Sequence, residues 1–178
     1  MVNKRVYTSE NLMDKSGATV IMELEHHKIH EGEHFTCQDY DSSVDIISPK
    51  KWLYVLNGDN LIHFIFELNV SKPGLIEFFE SPTVTDNGTL LGCHNNNRYS
   101  SNNSTLECYS DPTTTDGGTR LLVNVVGTDG NTPNGGSGGA TKRDNEFLLH
   151  KDKTYMIKYT TKINDTRVNC CVEHYEVD

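Results

Sequence analysis

The stretch of sequence that decides the fold is Ile62-His63-Phe64-Ile65-Phe66-Glu67-Leu68-Asn69-Val70. Every second residue from Ile62 to Val70 is apolar, and most of the positions between them are polar. Because successive side chains of a strand point to opposite faces, this alternation predicts a strand with one buried face. Lys72-Pro73-Gly74 predicts a turn after it. Residues 75–80 are then expected to return as the partner strand of a hairpin.

Short strands are predicted over most of the chain. Apolar residues at positions 20, 22 and 24 alternate with their neighbours, and further strand candidates are residues 121–126, 146–150, 154–161 and 168–176. No window keeps the i, i+3, i+4, i+7 apolar spacing of an amphipathic helix for three turns. The pattern predicts an all-β fold, an antiparallel β-sandwich of jelly-roll type, over residues 20–178. Residues 1–19 are expected to form an N-terminal arm, and residues 127–139 a Gly-rich loop.

One internal repeat stands out. Pro82-Thr83-Val84-Thr85-Asp86-Asn87-Gly88-Thr89-Leu90-Leu91 returns later as Pro112-Thr113-Thr114-Thr115-Asp116-Gly117-Gly118-Thr119-Arg120-Leu121. The Asp-Asn-Gly and Asp-Gly-Gly triplets suit tight turns that need positive φ angles, and the threonines favour extended chain. We expect two equivalent strand-turn-strand units. Calcium binding by Asp86 and Asp116 is the alternative, although no dense set of oxygen ligands follows either residue.

Composition narrows the classes of function. The net charge of -9, with scattered basic residues, argues against nucleic-acid binding. The sequence has no apolar run long enough to span a membrane, so we expect no transmembrane helix. Its first sixteen residues are polar, so we expect no secretory signal there. The five cysteines, without C-x-x-C spacing, suit reduced thiols better than a disulfide framework or a zinc site. Cys170 and Cys171 are adjacent, so they would point to opposite faces of a strand.

Histidines crowd into residues 26–34. On a helix, His26, His30 and His34 would share a face and could bind a metal, and they are weak metal candidates for that reason. Gly32 and the strand-like flanks favour a polar strand and turn instead, which would disperse the ligands. The His-x-His pair of cupin enzymes is absent. We therefore expect no metal site.

No pattern for catalysis or a cofactor is present either. The chain has no Gly-x-Ser-x-Gly elbow, no phosphate-binding loop and no dinucleotide fingerprint. Trp52 and Tyr54 alternate on a predicted strand and could stack on a sugar, but packing in the core is the preferred interpretation. We expect a protein that is not an enzyme and needs no cofactor.

Several motifs resemble a group of tailed-bacteriophage proteins. The opening of that group, Glu-His-His-x-Ile-His-x-Gly-x-x-Phe, is similar to Glu25-His26-His27-Lys28-Ile29-His30-Glu31-Gly32-Glu33-His34-Phe35. Further similar segments follow in order: His63-Phe64-Ile65-Phe66-Glu67, Phe79-Glu80-Ser81-Pro82-Thr83, Asn95-Asn96-Asn97-Arg98-Tyr99-Ser100, Thr154-Tyr155 and Glu173-His174-Tyr175-Glu176. The resemblance spans residues 25–176. Members of the group often have Tyr or Gly in place of Ser81 and Trp in place of His174.

The resemblance implies a non-enzymatic virion structural protein, a head decoration protein of β-sandwich type that binds the major capsid protein or other virion proteins as a homo-oligomer, with a trimer favoured. It would be made in the host cytoplasm and located in the virion. The candidates for partner contact are Gly135, Gly136, Gly138, Asn96, Arg98 and Tyr99. Two alternatives stay open: a carbohydrate-binding adhesin of a tail or fibre, and a cupin-like metal-dependent enzyme.

Overall fold

The computed structural model describes residues 24–126, 139–140 and 146–177, with only the backbone of residues 139–140. One helix, α1, spans Leu24–Glu31. The strands are β1 His34–Val44, β2 Lys50–Leu56, β3 Leu61–Val70, β4 Gly74–Glu80, β5 Thr83–Asp86, β6 Thr89–Leu91, β7 Cys93–Asn95, β8 Leu106–Ser110, β9 Thr113–Asp116, β10 Thr119–Val126, β11 Gly139–Ala140, β12 Phe147–Leu149, β13 Thr154–Thr161 and β14 Thr166–Val177.

The strands form two large antiparallel sheets. The first sheet has the order β11-β3-β14-β1-β7, with β12 also paired to β3. The second sheet has the order β10-β4-β13-β2-β8-β6, and β5 and β9 make a separate two-stranded sheet. The predicted all-β, sandwich-like fold is confirmed. Among the described residues, no helix is long and apolar enough to cross a membrane.

The alternation that predicts β3 holds in the structure. Ile62, Phe64, Phe66, Leu68 and Val70 are all buried, with exposed fractions between 0% and 3%. They face the second sheet, where the ring of Phe78 stacks 5.7 Å from that of Phe64. Trp52 and Tyr54 of β2 lie in the same core at 1% and 2% exposure, so the packing interpretation of these two side chains is confirmed.

The predicted hairpin between β3 and β4 is wrong. β3 pairs with β14 on one edge and with β11 and β12 on the other, so neither edge is left for β4. β4 instead crosses to the second sheet, between β13 and β10. The physical reason is that the apolar face of β3 needs a covering layer, and β4 supplies Ile76 and Phe78 to that layer. A turn signal followed by an apolar strand does not say which sheet the strand joins.

The internal repeat forms two equivalent strand-turn-strand units, as predicted. β5 pairs antiparallel with β9, and the side chains of Asp86 and Asp116 accept hydrogen bonds from the backbone N–H groups of Gly88 and Gly118 at 2.8 and 3.3 Å. The two glycines have φ angles of 87° and 77°. The aspartates therefore stabilise the turns, in keeping with the turn interpretation rather than the calcium alternative.

Each repeat unit packs on the start of the other. A Cβ on Gly88 would lie 2.2 Å from the carbonyl oxygen of Ser110, and one on Gly118 would lie 2.3 Å from that of Glu80. Ser81 and Asp111, which precede the two matching prolines, both have positive φ angles, of 55° and 59°. The two units therefore form a symmetric contact, which we call the clasp, at Gly88 and Gly118. Only glycine fits at these two positions, because a side chain would clash with the facing carbonyl oxygen.

Candidate functional site: the polar corner

Three of the segments that carry the resemblance, residues 25–35, 95–100 and 173–176, lie together at one corner of the sandwich. This polar corner consists of α1, the start of β1, the Asn-rich segment (residues 95–104) and the end of β14. α1 contacts both β1 and β14, and residues of the Asn-rich segment bond to α1 and to the start of β1. The structure therefore brings together parts of the chain that are distant in sequence.

The histidine-rich segment forms α1 rather than the predicted strand and turn. Backbone hydrogen bonds from Gly32 N to Ile29 O (3.1 Å) and from Glu33 N to Lys28 O (2.9 Å) close its last turn. This is the Schellman arrangement, in which the residue after the helix takes a positive φ, and Gly32 has a φ of 74°. The strand prediction is wrong because it treats Gly32 as incompatible with a helix, whereas Gly32 ends this one.

Pairs of polar side chains stabilise α1 in the absence of a regular apolar face. His27 Nε2 lies 3.1 Å from a carboxylate oxygen of Glu31, one turn away, and Lys28 Nζ lies 3.0 Å from the other oxygen. Lys28 also pairs with Glu33. An ion pair three residues apart on a helix, such as Lys28 with Glu31, stabilises the helix by about 0.2–0.5 kcal/mol. Apolar periodicity cannot detect a helix supported in this way.

The three weak metal candidates are not brought together. His26 and His30, one helical turn apart and both exposed, have their Nε2 atoms 3.1 Å apart. His34 begins β1 and is buried, at 2% exposure. Its Nδ1 accepts a hydrogen bond from Asn96 Nδ2 at 2.7 Å, and its Nε2 lies 3.5 Å from Glu25 Oε1. Among the described residues, His34 forms a group of potential ligands with Glu25 and Glu173, not with the other histidines.

The Asn-rich segment is ordered by its amide side chains. Asn95, which is buried, donates through Nδ2 to the carbonyl oxygen of Gly32 at 2.8 Å. Asn97 donates to the carbonyl oxygen of His30 at 3.0 Å. The last carbonyl groups of a helix have no partner within it, so these amides satisfy the C-terminal end of α1. The Asn-rich segment has no apolar core of its own, and these side-chain hydrogen bonds hold its backbone against α1.

The predicted contact residues of this segment are exposed. Asn96, Arg98 and Tyr99 all lie at the surface, and the side chain of Tyr99 is fully accessible at 102%. Arg98 lines a surface cavity of about 260 Å³ together with Cys93, His94, Asn95, Asn97 and residues 100–103, and Asn96 and Tyr99 are sequence neighbours of these residues. The other three candidates, Gly135, Gly136 and Gly138, lie outside the described residues, as do residues 1–19.

A ladder of rings covers the outer face of the first sheet beside α1. The ring of Tyr175 stacks on His63 at 4.3 Å and lies parallel to that of His34 at 6.4 Å. His63 Nδ1 lies 2.9 Å from a carboxylate oxygen of Glu146, and the Tyr175 hydroxyl donates to the same carboxylate at 3.4 Å. The rings come from three neighbouring strands, so they join the polar corner to the body of the sheet.

The inner face of β14 carries two buried polar residues next to this ladder. His174 Nε2 lies 2.8 Å from the hydroxyl oxygen of Ser104, and the carboxylate of Glu176 accepts hydrogen bonds from Thr105 N and Thr105 Oγ1 at 2.7 and 2.9 Å. These bonds anchor the end of the Asn-rich segment. Burial lowers the pKa of His174 to about 4, and its Nδ1 has no hydrogen-bond partner among the residues that the structure describes.

Sequence reasoning missed a cluster of thiols below the polar corner. Cys37 of β1, Cys93 of β7 and Cys108 of β8 have Sγ atoms that all lie within 4.8 Å of one another. All three are free thiols, and Cys93 is partly exposed at the cavity described above. No spacing rule predicts this cluster because each cysteine comes from a different strand. The alternation of buried residues on each strand is the one signal that could have placed them on inner faces.

Comparison with protein-family models, with curated proteins and with solved structures finds no match.

Proposed function

We propose that this chain is a non-enzymatic structural protein of a phage particle, which binds the head surface as a homo-oligomer. The phage assignment comes from the resemblance of residues 25–176. The single structural observation that supports a binding role is an apolar row on β10. Leu121, Val123 and Val125 of that strand are 41%, 47% and 74% exposed.

The position of β10 suits an interface between subunits. In the described part of the chain it is the outermost strand of the second sheet, paired only with β4. An exposed, apolar edge strand tends to associate with another chain, and proteins that stay monomeric usually protect such an edge with charge or proline. A neighbouring subunit or the capsid surface would cover this row in an assembled particle.

The hydrogen bonds of the polar corner also suit a structural role. Its polar side chains bond to one another and to the backbone: His34 to Asn96, Asn95 to Gly32, and Asn97 to His30. These contacts hold a surface segment in one shape, which a protein that fits the contour of a capsid requires. Repeated copies on a symmetric shell would turn weak contacts into stable attachment.

Mass spectrometry of purified virions tests the proposal directly. We expect the chain in many copies per particle, and we expect added protein to bind particles that lack it. The variants V123D and V125D should lose oligomerisation and capsid binding because they place charge in the row on β10. The variant I47D is the matched control, since Ile47 is 91% exposed in the segment between β1 and β2.

Two results would contradict this proposal. The first is absence of the chain from virions. The second is equal capsid binding by V125D and the unaltered protein, which would remove the role of β10.

Carbohydrate binding is a second candidate, favoured by Tyr99. Tyr99 has a fully exposed ring, and its sequence neighbours Arg98 and Ser100 line a cavity rich in amides and hydroxyl groups. The ring could stack on a sugar while the cavity groups bond to the sugar hydroxyls. A glycan array should then show saturable binding that Y99A loses. Y40A is the matched control, because Tyr40 of β1 is also exposed, at 60%. Equal binding by Y99A and Y40A would contradict this candidate.

A further inference from the structure

We propose that Cys37, Cys93 and Cys108 bind a zinc ion that joins the two sheets of the sandwich. The inference is independent of the phage assignment.

The spacing of the three sulfur atoms suits a metal ion. All three Sγ atoms lie within 4.8 Å of one another, and those of Cys93 and Cys108 are 3.4 Å apart. Thiolates in a tetrahedral zinc site bind at about 2.3 Å from the metal, which places the sulfur atoms about 3.8 Å from each other. Small side-chain rotations therefore suffice to place one ion between the three thiols.

The fold explains why these residues meet. Cys37 and Cys93 are direct partners in the register of β1 and β7, so their side chains project from adjacent strands. Gly92 separates β6 of the second sheet from β7 of the first, so Cys93 lies where the chain crosses between the sheets. Cys108 belongs to β8 of the second sheet and is fully buried. The three ligands thus come from both layers.

The chemistry of the cluster favours a soft or borderline metal. Thiolates select zinc, monovalent copper and iron–sulfur centres over magnesium and calcium. Zinc would displace the protons of the three thiols to solvent as it binds, with no change in oxidation state.

The site also has an entry route. Cys93 is partly exposed and lines the surface cavity of about 260 Å³ below the Asn-rich segment. A fourth ligand, a water molecule in the simplest case, would reach the ion from this cavity. His174 does not fill that position, because among the described residues its ring nitrogens are not part of the group within 4.8 Å.

Bound zinc would act as a clamp between the layers. β7 is the outermost strand of the first sheet in the described part of the chain and pairs only with β1. A three-residue edge strand has few backbone hydrogen bonds of its own. A zinc ion bound by both Cys93 and Cys108 would link this strand to the opposite sheet. Because the unfolded chain does not present the three thiols together, binding would also stabilise the fold.

The test uses the full chain, purified under reducing conditions and stripped of metal by a chelator. Zinc or cobalt is added, and the bound metal is measured by elemental analysis and by the thiolate-to-cobalt absorption in the near ultraviolet. We expect one ion per chain and a higher unfolding temperature with zinc. C93S should weaken binding by at least roughly 100-fold. C171S is the matched control, since Cys171 is also partly exposed but lies outside the cluster.

X-ray absorption spectroscopy of the zinc-loaded protein adds a measurement that needs no variant. Three sulfur ligands at about 2.3 Å would support the site even if C93S failed to fold. Absence of binding by the reduced protein at micromolar zinc would overturn the proposal, as would unchanged affinity in a folded C93S. A disulfide between Cys93 and Cys108 in freshly purified protein, with no metal bound, would assign the cluster to redox chemistry instead.

Discussion

The Sγ atoms of Cys93 and Cys108 lie 3.4 Å apart, although the two residues belong to different sheets. Cys37 completes the group from the strand next to Cys93. The close contacts within this group lower the pKa of Cys93 and raise that of Cys108 well above its usual value. Cys93 is also the most accessible of the three, since Cys37 and Cys108 are buried.

The differences in pKa and exposure between the thiols predict the order in which the cysteines react with an alkylating reagent. In metal-free, reduced protein, iodoacetamide should modify Cys93 before Cys171, because burial raises the pKa of Cys171. Cys170, whose pKa burial raises to about 12, should stay unmodified until the protein unfolds. Peptide mass spectrometry over a time course measures the order. Faster modification of Cys171 than of Cys93 would contradict the assignment.

Stability should depend on pH through His174. Its folded pKa of about 4 lies below the unfolded value of about 6.5, so the neutral ring is the form that the fold accommodates. This contribution is complete above pH 6.5 and is lost as the pH falls towards 4, by about 3 kcal/mol in total. Urea unfolding at pH 7 and pH 4 measures it.

The carboxylate of Glu176 lies beside this ring, with its Oε1 3.9 Å from His174 Nε2. His34 and Cys93 act on the same ring through their charges. The comparison that isolates the imidazole is therefore with H174Q, which cannot gain a proton. We expect H174Q to lose less stability than the unaltered protein between the two pH values. An equal loss in both would show that carboxylates alone account for the acid sensitivity.

The clasp between the repeat units should be sensitive to a single methyl group. G88A and G118A each combine a positive φ with a Cβ placed 2.2–2.3 Å from a carbonyl oxygen. We expect each to lower the free energy of unfolding by about 1–3 kcal/mol. G92A is the control, because a Cβ there meets nothing closer than 3.4 Å. Denaturant titration distinguishes them, and equal stability of all three variants would refute the clasp.

The core of the sandwich should depend most on its central aromatic residue. Phe64 is fully buried and lies within 4.9–6.1 Å of the rings of Tyr54, Phe78 and Phe66. F64A should destabilise the protein by about 3–5 kcal/mol through lost burial and the cavity that remains. Y99A removes an aromatic ring of similar size from full solvent exposure and should change stability by less than about 0.5 kcal/mol. A small effect of F64A would contradict the position of Phe64 in the core.

The fold class was predictable because it depends on a local pattern. The period-two alternation of residues 62–70, and the strand signals of residues 121–126, 154–161 and 168–176, all correspond to strands of the structure. The turns after Asp86 and Asp116 were also predictable, since the positive φ at Gly88 and Gly118 follows from local sequence. In each case the information lies within about ten residues of the chain.

The errors arose where a distant contact decides the outcome. α1 is stabilised by the ion pairs of Lys28 and by Asn97, whose side chain donates a hydrogen bond to the carbonyl oxygen of His30. β4 joins the second sheet because other strands occupy both edges of β3. Neither the contacts that stabilise α1 nor the occupied edges of β3 can be predicted from the structural propensities of neighbouring residues.

The sequence alone therefore determined the all-β class, the buried face of β3 and the two turns of the repeat, because alternation and glycine conformation are properties of neighbouring residues. Only the tertiary structure decided that Cys37, Cys93 and Cys108 meet and that Asn95–Gly32 and His34–Asn96 contacts build the polar corner. Each of these groups joins residues that are distant in sequence, and strand pairing is set by which edges and faces remain free once the whole core is packed.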